Sequence, residues 1–212
     1  MKIKTFNPIK IIITGEEKYE FLQNLITNDL NKIEDIIYSY LLTPQGKIFV
    51  ELQIKKRKDS LEIFCTNDQV GIFDFLQKYS KLSEVNLEKK ISLDIDINEK
   101  YFTDLLSKGL IDSNVLPHSS FNPSEISPSY IDYKKGCYVG QEVVSRIKHR
   151  QLNRKSIIVF QNLSFDESKK IDNFEIIIKI KDFFIVRLPI NTDFKKFEND
   201  YGLKKIDATY LK

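Results

Sequence analysis

The 212 residues are 42% hydrophobic, near the globular average, and carry a formal charge of +3 from 33 basic and 30 acidic side chains. That balance excludes wholesale disorder, permits an anionic ligand and argues against a dedicated nucleic-acid binder. Two cysteines, Cys65 and Cys137, are too few for a disulfide framework in a chain this long.

No apolar run reaches the roughly 18 residues of a membrane span, so no membrane association is expected. Asn7, Pro8 and Lys10 interrupt any signal-peptide core, and a reducing, cytoplasmic setting is expected.

Residues 10–14, with Ile11-Ile12-Ile13, predict a strand. Thr14 and Glu17 have capping-box spacing, and Phe21, Leu22, Leu25 and Ile26 follow at helical spacing, which predicts a helix with one core-facing stripe. Residues 35–43 and 47–56 read as strands joined by Thr43-Pro44-Gln45-Gly46, whose Pro and Gly suit a type I turn. Residues 61–66 predict a third strand carrying a structural Cys65. Asn67 or Asp68 then caps a helix through Val70, Phe73 and Leu76.

Ile91, Leu93, Ile95 and Ile97 alternate with polar residues, the period of a half-buried strand. A helix over 101–107 is expected to stop at Gly109. Pro117, Pro123 and Pro128 make 113–134 a long loop. Residues 156–160, 174–180 and 183–188 read as strands, the last two joined by a tight turn at Lys181-Asp182. The change of pattern near Asn153 divides the chain into an α+β region, 1–153, and a short β-rich domain, 154–212.

The long loop delivers the chain to Lys135-Gly136-Cys137-Tyr138-Val139-Gly140-Gln141-Glu142. Glycine serves where φ turns positive or where a ligand approaches the backbone closely. The two glycines bracketing Cys137 therefore predict a tight turn that presents the thiol. Thiolate is the reactive form, and nearby cations or a helix N-terminus stabilise it. Lys134 and Lys135 are adjacent in sequence, and a helix from about Gly140 brings Arg146 close.

Free cysteine is among the most buried residue types. An inert core cysteine rarely sits between Lys-Gly and Tyr-x-Gly-Gln-Glu, however, so Cys137 is the candidate functional thiol. The basic run Arg146, Lys148, His149, Arg150 suits a solvated face or an anion site. Cys65, Cys137, His118 and His149 lack zinc-like spacing, and no metal site is expected.

The octet resembles the signature of the YgfZ family of folate-binding proteins, relatives of the glycine-cleavage T-protein that act in iron–sulfur cluster biogenesis. Phe21-Leu22-Gln23 with Thr27-Asn28-Asp29, the hairpin Leu41-Leu42-Thr43-Pro44-Gln45-Gly46-Lys47-Ile48, and Leu116-Pro117 with Ile131-Asp132-Tyr133 resemble further family segments. The resemblance implies an α+β, T-protein-like fold of mixed sheets and helices around a folate-binding opening, followed by a barrel-like β-rich domain, here short. It implies tetrahydrofolate or a derivative as cofactor, with Cys137 functional and Lys135, Tyr138, Gln141 and Glu142 at signature positions.

In chemical terms, Glu142 or Gln141 suits the donor–acceptor edge of a pterin, and Arg146 suits the anionic tail of folate. Tyr138 suits ring stacking as well as core packing. The implied function is that of a monomeric accessory protein whose partners are folate and iron–sulfur client proteins. One alternative is a tetrahydrofolate-dependent aminomethyltransferase, which needs a carboxylate near the pterin that no motif here supplies. Another is binding of tRNA or other nucleic acid through the basic residues, with steep salt dependence.

Overall fold

The computed structural model describes residues 7–68, 70–90, 97–166 and 173–209. They form two compact units. One holds the described residues of Thr5–Ile95 and Ser113–Gln151, the other those of Asp96–Asp112 and Leu152–Lys212. No helix among the described residues is long and apolar enough to cross a membrane.

The first unit is built on an antiparallel sheet of β1 (Ile9–Thr14), β2 (Ile36–Leu42), β3 (Ile48–Lys56), β4 (Leu61–Cys65) and β5 (Asn86–Lys90), in the order β2-β3-β4-β1-β5. Side chains alternate between faces along a strand. Ile9, Ile11 and Ile13 therefore share one face with Leu61 and Ile63 of β4 and with Leu52 and Ile54 of β3, all fully buried. The helices α1 (Lys18–Gln23) and α2 (Ile72–Ser80) cover that face with Phe21, Leu22, Ile72 and Leu76. Tyr40 and Leu42 alternate with Leu41 and so lie on the opposite face, where Ile48, Ile131, Tyr138 and Val144 close over them.

Two local expectations change. The Thr14–Glu17 capping box does not form, because β1 runs through Thr14 and Glu17 itself stands at the N-cap of α1. The Glu17 carboxylate instead accepts the backbone N–H of Glu84 at 2.7 Å. The stripe residues Leu25 and Ile26 lie beyond the end of α1 yet are buried. Most of the strand predicted from Ile91 lies outside the described residues. The observed β5 precedes it at the sheet edge, and its exposed Glu88, Lys89 and Lys90 lack the alternation that marks a half-buried strand. Charge on an edge strand discourages pairing with another chain.

In the second unit, α3 (Glu99–Ser107) is capped by the Asn98 side chain, which accepts the Tyr101 N–H at 3.1 Å. Its chain leaves through Gly109, at φ 69°. The strands β6 (Lys155–Asn162), β7 (Glu175–Ile180), β8 (Phe183–Pro189) and β9 (Leu203–Lys205) form an antiparallel sheet in the order β7-β8-β6-β9. Among the described residues this sheet is open, not the barrel-like closure expected. It has four strands, one of them three residues long, and a barrel closes only when enough tilted strands let the edges meet.

The sequence reading lacked two elements here, α5 (Phe194–Tyr201) and β9. The signal for α5 was present: Asp193 caps its start, Gly202 ends it, and Phe194, Phe197 and Tyr201 recur at helical spacing. Phe197 packs with Phe160, Phe184 and Leu203 in the core of this unit.

Candidate functional site

The approach to the octet is an irregular strap made of three 3₁₀ turns, Ser113–Val115, Pro123–Glu125 and Pro128–Tyr130. Buried Thr27 anchors it. The Thr27 hydroxyl donates to the Tyr130 carbonyl at 2.7 Å and accepts the Tyr40 N–H at 3.0 Å, while the Thr27 carbonyl accepts the Asp132 N–H at 2.9 Å. The Tyr130 ring stacks on Tyr38 at 5.3 Å and 16°. Lys32 then clasps the Asp132 carboxylate, and this hydrogen bond, joined by the Lys134 N–H, holds Asp132 below the usual carboxylate range.

Lys135 turns inward. It is 8% exposed, and its Nζ donates to the Ile26 carbonyl at 2.5 Å and to the Gln23 carbonyl. These carbonyls lie at and just past the end of α1, where helix geometry leaves acceptors without intrahelical donors. The Tyr138 ring lies 5.0 Å from the same amine. Burial pulls the amine down to about 8, against the opposing pull of Asp29 and Asp132. Tyr138 is 7% exposed and belongs to the cluster with Tyr40, Ile48 and Val144. Its hydroxyl is buried without a hydrogen-bond partner among the described residues, and burial raises its pKa. Of the two uses open to Tyr138, it takes core packing.

Beyond it, Gly140 begins α4 (Gln141–His149) at φ 81°. A Cβ there would stand 2.6 Å from the Thr43 carbonyl oxygen and 3.2 Å from the Gly46 Cα. The hairpin turn and the octet thus meet backbone to backbone. Gln141 Nε2 reaches back to the Gly136 carbonyl at 3.4 Å. Between these fixed flanks Cys137 is exposed, with a free thiol, whereas Cys65 is buried in β4. The expectation that both glycines shape the turn holds for Gly140 alone, since φ at Gly136 is outside the left-handed region.

Glu142 and Arg146 pair with each other across one turn of α4, with side chains 83% and 52% exposed. Lys148 Nζ sits 3.5 Å from the Tyr133 ring centroid. Arg146, Lys148 and His149 all fall in the last turn of α4, where cations suit the helix dipole.

A small hollow lies apart from the octet, between β3, the end of β4 and the first part of the strap. Its wall includes Ile48, Phe49, Val50, Asn67, Asn114 and His118, and its volume of about 20 Å³ holds roughly one water. None of the described residues lining it is an aspartate or a glutamate, and none belongs to the octet. Ile48 and Ile126 line it and also pack in the cluster under Tyr138.

The Asn114 side chain braces this wall like an extra strand. It accepts the Glu51 N–H at 2.9 Å and donates to the Glu51 carbonyl at 3.0 Å and the Thr66 hydroxyl at 3.2 Å. Glu51 in turn accepts the Ser113 N–H at 2.9 Å. The Ser113 hydroxyl, on the hollow's wall, is buried without a partner among the described residues. Sequence reasoning missed this hollow, because its polar residues come from separate segments with no local pattern.

No family model matches the chain. Over 60 residues, 27% of its length, it is 32% identical to the aminomethyltransferase of Caldanaerobacter subterraneus subsp. tengcongensis. It is 35% identical, again over 60 residues, to the aminomethyltransferase of Thermoanaerobacter pseudethanolicus. The match spans 16% of the length of each relative. The crystal structure of glycine cleavage system aminomethyltransferase T from Bartonella henselae is similar with a TM-score of 0.64, over 87% of this chain and 76% of that one, at 10% identity. The architecture is therefore the aminomethyltransferase fold, α+β with two antiparallel sheets.

Proposed function

We propose that this protein is a folate-binding accessory factor for iron–sulfur enzymes, with Cys137 as its functional thiol and tetrahydrofolate or a derivative as its ligand. The observation that carries the reading is the exposure of Cys137 on a turn fixed at both flanks, by the Lys135 amine and by the Gly140 backbone. A cysteine kept for packing is buried, as Cys65 is. In this reading Lys135 and Tyr138 hold the turn, and Gln141 closes it.

The fold and the octet's resemblance support the folate part. We put the pterin against the hollow, where the Ser113 hydroxyl supplies a polar contact and Phe49 and His118 supply ring faces. Admitting a ring there requires the segment from Pro117 to Phe121 to give way. It is held to β3 by the Ser119 N–H on the Ile48 carbonyl at 3.2 Å and the Ile48 N–H on the Phe121 carbonyl at 2.9 Å. Arg146, released from Glu142, is then the candidate for the anionic tail.

Aminomethyl transfer is the second reading, favoured by the names of the relatives. That chemistry needs an ionised carboxylate beside the pterin. Among the described residues the hollow's lining has none, the Glu51 carboxylate behind it being taken by the Ser113 N–H, and we rank the binder first.

The test has two arms. Calorimetric titration with tetrahydrofolate is expected to give binding to the wild type and to Cys137→Ala alike. In a strain lacking the protein, the wild type is expected to restore iron–sulfur enzyme activity and Cys137→Ala is not. Full restoration by Cys137→Ala would overturn the role of the thiol. Formation of methylene-tetrahydrofolate from an aminomethyl donor protein would establish the transferase instead.

A further inference from the structure

The chain is poor in glycine, with seven in 212 residues. Six of the seven have positive φ, the region that L side chains avoid. Gly136 is the exception. Its φ is outside that region, and a Cβ built on it would meet none of the described residues within 4 Å. Neither a left-handed φ nor a close neighbour among the described residues requires glycine at this position. Alanine there would restrict the unfolded chain and so favour folding.

The remaining use of a glycine is to let something outside come close to the backbone. We infer that Gly136 is a contact glycine, which keeps the backbone beside Cys137 bare so that the surface of a partner protein lies against it and reaches the thiol. This rests on the reading of Cys137 given above, and the partner is the iron–sulfur client of that reading.

The setting favours a protein partner over a small molecule. Sites for small ligands are concave and enclose most of their ligand. Here Lys134, Gly136 and Cys137 are all exposed, and the exposed Glu142 and Arg146 follow on α4. None of these residues lines the hollow. An exposed turn of this kind suits the face of another protein.

The experiment compares Gly136→Ala and Gly136→Leu with the wild type. Both variants are expected to unfold at or above the wild-type midpoint, to bind tetrahydrofolate as the wild type does, and to react with iodoacetamide at Cys137 at the wild-type rate. In the strain lacking the protein, restored iron–sulfur enzyme activity is expected to fall several-fold with alanine and to be lost with leucine.

A lowered unfolding midpoint would make Gly136 structural and overturn the inference. So would full restoration by Gly136→Leu, with the role of Cys137 left standing. Loss of tetrahydrofolate binding would make Gly136 a folate contact and overturn the partner assignment. Full restoration by Cys137→Ala would bring down the reading and the inference together.

Discussion

The Lys135 amine lies 2.5 Å from the carbonyl oxygen of Ile26, a residue 109 positions earlier in the chain. With the Gln23 carbonyl it completes the end of α1 and fastens the octet to the first helix. Lys135→Met keeps the length of the side chain and removes the donor. It leaves buried carbonyls short of a partner, at a cost of about 1–3 kcal/mol. Urea unfolding is expected to show that loss while the exposure of Cys137 to iodoacetamide increases. Unchanged stability together with lost tetrahydrofolate binding would instead make Lys135 a folate contact.

The same amine gives a pH signature of definite sign. Its pKa is about 8 in the folded protein and has its ordinary value of 10.5 in the unfolded chain. Between those values the unfolded chain holds a proton that the folded protein has released. Stability rises with pH wherever the unfolded state binds more protons. The penalty for burying charged Lys135 is therefore full below about pH 8 and relieved on the way to 10.5. The stability of the wild type relative to Lys135→Met is expected to climb across that window in urea midpoints measured at pH 7, 8, 9 and 10. A flat difference would mean that the amine keeps its ordinary pKa.

These two residues also show how far the sequence could be read. The strand around Ile11 was legible from its β-branched run Ile11-Ile12-Ile13, and the hairpin because Pro44 and Gly46 punctuate it. The helix after Gly140 was legible for the same kind of local reason. The inward turn of Lys135 was not, since its acceptors belong to a distant segment and nothing near Lys135 announces them. The pairing of Glu142 with Arg146 was within reach from their four-residue spacing. The chemistry of the two side chains suggested folate contacts for both, and the pairing itself was not drawn. The polar wall of Asn67, Ser113 and Asn114 stayed hidden because it is assembled from two stretches of chain far apart in sequence.

Asp132 carries part of the acid limb of stability, as does Glu62, which, against the upward pull of burial, Lys10 and Arg57 hold down. The hydrogen bond from Lys32, with the Lys134 N–H, holds the folded pKa of Asp132 below the ordinary 3.8. A carboxylate depressed in this way contributes stability that is present above its unfolded pKa and lost as pH falls through the folded one. Asp132→Asn removes that titration. The variant is expected to be less stable than the wild type at pH 7 and to lose less on going below about pH 4, where the two curves converge. Thermal unfolding across pH 2.5 to 7 checks this, and parallel curves would show that the clasp does not titrate.

Gly140 and Gly136 flank the same thiol and are expected to respond oppositely to alanine. At Gly140 a Cβ would lie 2.6 Å from the Thr43 carbonyl oxygen, on a backbone at φ 81°. The hairpin turn would have to retreat, and α4 would have to start from a strained residue. A non-glycine residue in that region costs about 1–3 kcal/mol from the backbone alone, before any contact with Thr43 is relieved. Gly140→Ala is therefore expected to lower the unfolding midpoint and to change the rate at which iodoacetamide labels Cys137, because one flank of the turn has moved. If Gly140→Ala instead unfolds like the wild type, the contact between hairpin and octet is soft, and the thiol is held from the Lys135 side alone.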